Sequence, residues 1–148
     1  MEPNFIYRKR VEFSETDAAG IVHFANYFRY MEMAEHAFFR SLGVSIHPRN
    51  SEYGFPRVYV DCNFRAPLHF EDELEVHVYV TEKREKKLTY RFEIFKMSAQ
   101  GQSADQPLEA VATGAFAVVC VHWDPQTKSM KARPIPAEIA EKISVISK

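Results

Sequence analysis

Two cysteines, five glycines and a net charge of −1 set the first limits on this 148-residue chain. Cys62 and Cys120 lie far apart and form no CxxC pair, so a disulfide framework is not expected and the cytoplasm is the expected compartment. No apolar run approaches the ~20 residues of a membrane-spanning helix. The opening Met-Glu-Pro-Asn-Phe-Ile-Tyr-Arg-Lys-Arg lacks the apolar core of a secretory signal. Neither half of the chain is strongly basic, which argues against nucleic-acid binding through a broad cationic face. HExxH and HxH spacings are missing among the six histidines, so no metal is assigned. A Gly-x-Ser-x-Gly elbow is missing too, which argues against a serine hydrolase.

What is present suits one ordinary domain over residues 1–148. Apolar residues make up 46% of the chain, enough for a core. Twelve Phe and seven Tyr point to strands and an aromatic-lined interior or interface. Residues 7–13 read as a first strand and 14–22 as a loop. The spacing predicts a helix over 24–42: Tyr27, Met31, Ala34, Phe38 and Leu42 recur at three- and four-residue steps, with Tyr30 and Ala37 widening the stripe. Gly43 follows as a C′ residue. Strands then dominate. Val58, Val60, Cys62 and Phe64 alternate with polar or aromatic neighbours, as do Leu74 to Val80 and Leu88 to Ile94. Residues 110–122 read as one long central strand. Period two predicts an antiparallel sheet with one buried face. The loose stretch 98–107 reads as a flexible connection, and 137–146 as a short C-terminal helix. The fold class is α+β, with the helix stripe laid on the concave face of a curled five-stranded sheet.

The segment that carries chemistry is 11–30. It places a carboxylate, Asp17, in a loop that turns through Gly20 into the long helix. A helix start presents unpaired backbone N–H groups and a positive dipole end, suited to polarising a carbonyl and holding a developing oxyanion. A carboxylate beside it is placed to act as nucleophile or as general base for water. The alternative is that Asp17 merely caps the turn.

The motif Thr16-Asp17-Ala18-Ala19-Gly20-Ile21-Val22, continuing through Ala25-Asn26-Tyr27, resembles the signature of 4-hydroxybenzoyl-CoA thioesterases and of related bacterial short-chain acyl-CoA thioesterases. The pattern is Asp-x-x-Gly-(Ile/Val)-Val-x-x-x-(Asn/Ser)-Tyr. The likeness extends to Ser-Leu-Gly at 41–43, the strand 58–66 and Arg-Pro-Ile-Pro at 133–136. It implies a hotdog fold, a curved antiparallel sheet wrapped around one long helix. It also implies homodimers joined through their sheets, commonly paired into tetramers, with active sites at the subunit interface. By this resemblance Asp17 is the catalytic carboxylate, the Phe24 backbone N–H polarises the thioester carbonyl, Gly20 shapes the loop, and Asn26 and Tyr27 support it. The implied reaction is hydrolysis of an aryl- or short-chain acyl-CoA. Coenzyme A is then part of the substrate, and no cofactor is expected.

Many short-chain members carry His one position after an aromatic residue in this motif. Here His23 precedes Phe24, so His23 reads either as a pocket residue or as a packing or surface one. Arg84, Lys86 and Lys87 form the densest basic run, interrupted by Glu85. They read as a CoA phosphate contact or as a solvated turn. Glu32 and Glu35 read as solvent or interface residues, and Glu32 is spaced to pair with His36. Two other functions remain open. An acyl-carrier-protein thioesterase would use the same basic run to dock its acidic partner. A non-catalytic acyl-CoA binding subunit would keep the pocket without needing Asp17.

Overall fold

The computed structural model describes residues 1–49, 52–97 and 108–146. Helix α1 spans Ala25–Ser41 and buries Tyr27, Tyr30, Met31, Ala34, Phe38 and Phe39. The predicted stripe is therefore the one that packs. Gly43, at φ 79°, ends the helix. Its N–H donates to Arg40 O at 2.9 Å, and the Val44 N–H donates to Phe39 O at 3.2 Å. These two bonds close a Schellman motif, which satisfies carbonyls the helix end would leave bare.

The stripe rests on a five-stranded antiparallel sheet of order β1-β4-β5-β6-β3. Its strands are β1 (Phe5–Arg10), β3 (Arg57–Phe64), β4 (Glu73–Lys83), β5 (Lys87–Lys96) and β6 (Glu109–Val119). Gly114 of β6 sits under α1. A Cβ there would collide with Met31 Cε and lie 2.7 Å from Asp61 O. The missing side chain is what lets the helix approach the sheet. Beneath α1, Val76, Val78, Tyr90, Phe92, Ile94 and Val118 are fully buried. At roughly 1.5–3 kcal/mol for each large apolar side chain, this contact dominates the stability of the layer.

Three expectations need correction. Residues 110–122 are not one strand. β6 stops at Val119, and β7 (Val121–Asp124) pairs instead with β2 (Tyr53–Gly54) and β8 (Ser129–Ala132) in a separate three-stranded sheet. Cys120 makes the break: its N–H donates to Lys86 O and its carbonyl accepts from the Arg133 N–H, which leads the chain off the main ladder. Residues 137–146 are helical only over α2 (Ala137–Ala140). The first strand is β1, two residues earlier at its start than predicted and ending at Arg10. Beyond it the Val11 N–H turns to Asp72 O. The 98–107 connection lies outside the described residues.

The apolar alternation of β3 is real, but in the single chain it is not core. Val58 is 60% exposed, Val60 45% and Phe64 50%, and Cys62 is only half-buried. Val60 and Phe64 lie opposite Phe116 and Ala112 of β6, on the helix side of the sheet. β3 is an edge strand, and α1 does not extend over its outer margin.

Candidate active site

The loop leading into α1 is stitched together by its own backbone. Thr16 and Val22 form an antiparallel bridge, and Ile21 bridges to His69. Within it, the Asp17 N–H donates to Ile21 O at 2.8 Å and the Gly20 N–H to Asp17 O at 3.0 Å. Gly20 adopts φ 84°, a left-handed conformation that a glycine takes at little cost. The Asp17 carboxylate Oδ1 accepts the Ala19 N–H at 2.8 Å, an Asx turn that orients the side chain. Asp17 is exposed, and among the described residues its second oxygen has no partner.

Phe24 caps α1 with helical dihedrals and supplies no side-chain cap. The first-turn donors are nonetheless largely used. The Asn26 N–H donates to His23 O at 2.9 Å and the Tyr27 N–H to Phe24 O at 3.2 Å. His23 Nδ1 accepts the Ala25 N–H at 3.2 Å, and its ring stacks on Phe24 at 4.5 Å. The Phe24 N–H itself donates to no acceptor among the described residues. His23 is thus an exposed capping residue of the helix start, a role its sequence position did not reveal. Asn26 reaches back, its Nδ2 donating to Glu15 O at 2.8 Å. Tyr27 is buried and meets Phe64 of β3 edge-on at 5.0 Å. Burial raises its hydroxyl above the ordinary value of 10.0. Asp17, Gly20, His23, Phe24, Asn26 and Tyr27 therefore lie in one continuous loop-to-helix unit.

Arg84, Lys86 and Lys87 are not part of that unit within one chain. They occupy the β4–β5 turn, where the Arg84 N–H donates to Lys87 O and Glu82 lies near Arg84 Nε at 3.3 Å and Lys87 Nζ at 3.9 Å. The start of β4 lies beside Arg10, and this turn closes its other end. Eleven residues of extended strand separate the two, about 35 Å.

Two acidic residues were misread or missed. Glu35 is not at the surface: it is fully buried. Arg57 grips it with a fork, Nη2 to Oε1 at 2.6 Å and Nη1 to Oε2 at 3.2 Å. Glu32 joins the same guanidinium at 3.2 Å rather than pairing with His36. Burial pushes the Glu35 carboxyl up, and Arg57 pulls it back. The signal was available, because Glu35 stands four residues from both Met31 and Phe39, inside the apolar stripe. Glu15, two residues before Asp17, is likewise buried. Its Oε1 accepts from the Glu12 N–H at 2.8 Å and from Tyr30 Oη at 3.0 Å, and its Oε2 accepts from Lys9 Nζ at 2.8 Å. Burial favours its neutral form, but these three donors outweigh it and hold the carboxyl below its ordinary value of 4.5.

Ile46, His47, Phe55 and Arg57 line a cleft of about 250 Å³ with Glu32 and His36. Among the described residues, no three His, Cys, Asp or Glu side chains converge as a metal site. Among the described residues, no helix is long and apolar enough to cross a membrane.

Comparison with known proteins gives the family and the fold. The family described as the thioesterase-like superfamily matches residues 11–143. A hypothetical protein of Aquifex aeolicus has the same fold, with TM-score 0.77 and 34% identity over 95% of this chain and 99% of that one. A gentisyl-coenzyme A thioesterase aligns with TM-score 0.73 and 30% identity over 91% and 98%. The 1,4-dihydroxy-2-naphthoyl-CoA hydrolase of Trichodesmium erythraeum is 28% identical over 128 residues, 85% of this chain and 86% of that protein.

Proposed function

This chain belongs to the thioesterase-like superfamily, and from that premise we propose that it hydrolyses an acyl-CoA thioester, with an aromatic acyl group as the preferred class. The observation that carries the reading is an oriented, solvent-facing Asp17 carboxylate in the loop that leads to a Phe24 N–H with no acceptor among the described residues at the start of α1. The loop and the helix that bear them are hydrogen-bonded into one unit. The acyl preference draws on two relatives whose names specify aromatic acyl groups, gentisyl and dihydroxynaphthoyl.

In this mechanism the thioester carbonyl oxygen accepts the Phe24 N–H, where the helix dipole stabilises the charge that develops on it. Asp17 acts on the carbonyl carbon by one of two routes. As nucleophile, its oxygen forms the C–O bond of a mixed anhydride as the C–S bond breaks, and water then cleaves the anhydride. As general base, it takes a proton from the water that attacks. In both routes CoA leaves as the thiolate and is protonated from solvent. The reading requires no metal or organic cofactor.

The exposed apolar margin of β3 supports a second part of the proposal: two copies join edge to edge through β3. That would cover Val58, Val60 and Phe64 and bring a partner surface toward Tyr27 and the helix start. An unpaired apolar edge is otherwise an aggregation hazard. The test is release of free thiol from a panel of aryl-, short-chain and long-chain acyl-CoAs. Fastest turnover of an aryl-CoA supports the proposed class, and a preference for a long-chain ester overturns it. Activity only on acyl-carrier-protein thioesters would favour the carrier-protein reading.

A further inference from the structure

We propose that Glu15 is a positioning residue that sets the Asp17 loop against the first turn of α1; this deepens the thioesterase reading and rests on it. Every polar atom of Glu15 is engaged, its own N–H donating to Glu12 O at 2.9 Å. The carboxylate takes the Glu12 N–H, Lys9 Nζ and Tyr30 Oη. The carbonyl takes Asn26 Nδ2 at 2.8 Å and the His23 N–H at 2.9 Å. One residue thereby ties together β1 through Lys9, the middle of α1 through Tyr30, the first turn of α1 through Asn26, and the entry to the helix through His23. Asp17 follows two residues later, and Phe24 follows His23 directly. The distance between carboxylate and oxyanion donor is thus fixed by a chain of short covalent steps from a single buried anchor.

The energetics favour a geometric role over a stabilising one. Lys9 and Glu15 are both nearly buried, with side chains 11% exposed. Desolvating two charges offsets most of their attraction, so a buried ion pair is an inefficient way to gain stability. A fully satisfied polar network instead specifies one arrangement. Lys9 also lies over the Tyr30 ring, 5.2 Å from its centroid, which holds the same three side chains in register from a second direction. Glu15 is buried, so on this proposal its influence on rate passes through Asp17 and Phe24.

The experiment compares wild type, Glu15→Ala, Glu15→Gln, Asp17→Asn and the Glu15→Ala/Asp17→Asn double variant. An aromatic acyl-CoA serves as probe, and amide hydrogen exchange is measured alongside. Glu15→Ala should lower kcat on the order of 10²-fold, the scale expected when a reacting group shifts by about 1 Å. KM should change little. Glu15→Gln, which keeps an oxygen toward Tyr30 and the Glu12 N–H but turns an NH2 toward Lys9 Nζ, should recover part of the rate. The double variant should be no slower than Asp17→Asn alone, because Glu15 acts through Asp17. The Asp17 and His23 amides should exchange faster in Glu15→Ala. Should that variant fail to fold, Tyr30→Phe removes one donor to the carboxylate and takes its place. An unchanged kcat, losses that multiply in the double variant, or unchanged exchange would each overturn the proposal. If the wild type releases thiol from no CoA ester, the proposed function falls. Exchange then decides the anchor alone, faster supporting it and unchanged rejecting it.

Discussion

At the scale of single residues, buried charge governs what substitutions will do. Arg57 holds a Glu35 carboxylate that has no exposed surface. Arg57→Ala leaves that charge without its main partner and is expected to cost about 3 kcal/mol, read as a lower urea midpoint. Glu75 gives a pH dependence whose sign follows from its partners. Burial raises its carboxyl, but His77 at 2.9 Å and Arg8 at 2.6 Å outweigh burial and hold it below the ordinary 4.5. A depressed carboxylate contributes stability that is full above 4.5 and lost as pH falls through its folded value. Between pH 5 and pH 3 the wild type should therefore lose more stability than Glu75→Gln, measured by urea unfolding at each pH; equal losses would contradict this. Asp17 and Gly20 were legible in the sequence because their types and spacing mark a turn before a helix. Glu15 was not, because periodicity treats a charge as surface and cannot see Lys9 arriving from β1; for Glu35 the place in the apolar stripe was readable, but its partner Arg57 on β3 was not.

At the scale of elements, the packing of α1 on the sheet depends on one missing side chain. Gly114→Ala places a Cβ against Met31 and the Asp61 carbonyl. Met31 has rotamers to spare, but the backbone oxygen of a paired strand does not. The expected loss is about 2 kcal/mol, seen as a lower thermal midpoint with native secondary structure retained. The stripe of α1, its glycine stop and the strands β4 and β5 were readable from periods of 3.6 and two. The hairpin of β7 and β8 was not. Its first strand continues the apolar run of β6, and only the hydrogen bonds of Cys120 to Lys86 and Arg133 reveal the break. Residues 124–129 turn through an Asp124 side chain that accepts the Gln126 N–H at 2.9 Å. The Asp124-Pro125 pair is the sequence signal of such a turn.

At the scale of the whole molecule, the sheet order leaves β3 at an edge with its apolar side chains uncovered. Alternation alone could not distinguish a stripe covered by the chain's own helix from one awaiting a second copy. If two copies join there, sedimentation should find a dimer or a multiple of it, and Val58→Lys should shift the protein toward monomer. A monomeric wild type would contradict the joining. The central claim concerns Asp17, and thiol release from an aromatic acyl-CoA by wild type and Asp17→Asn tests it most directly. The account predicts a loss of at least about 10²-fold in kcat for the variant with its fold intact. Equal turnover by the two proteins would contradict it.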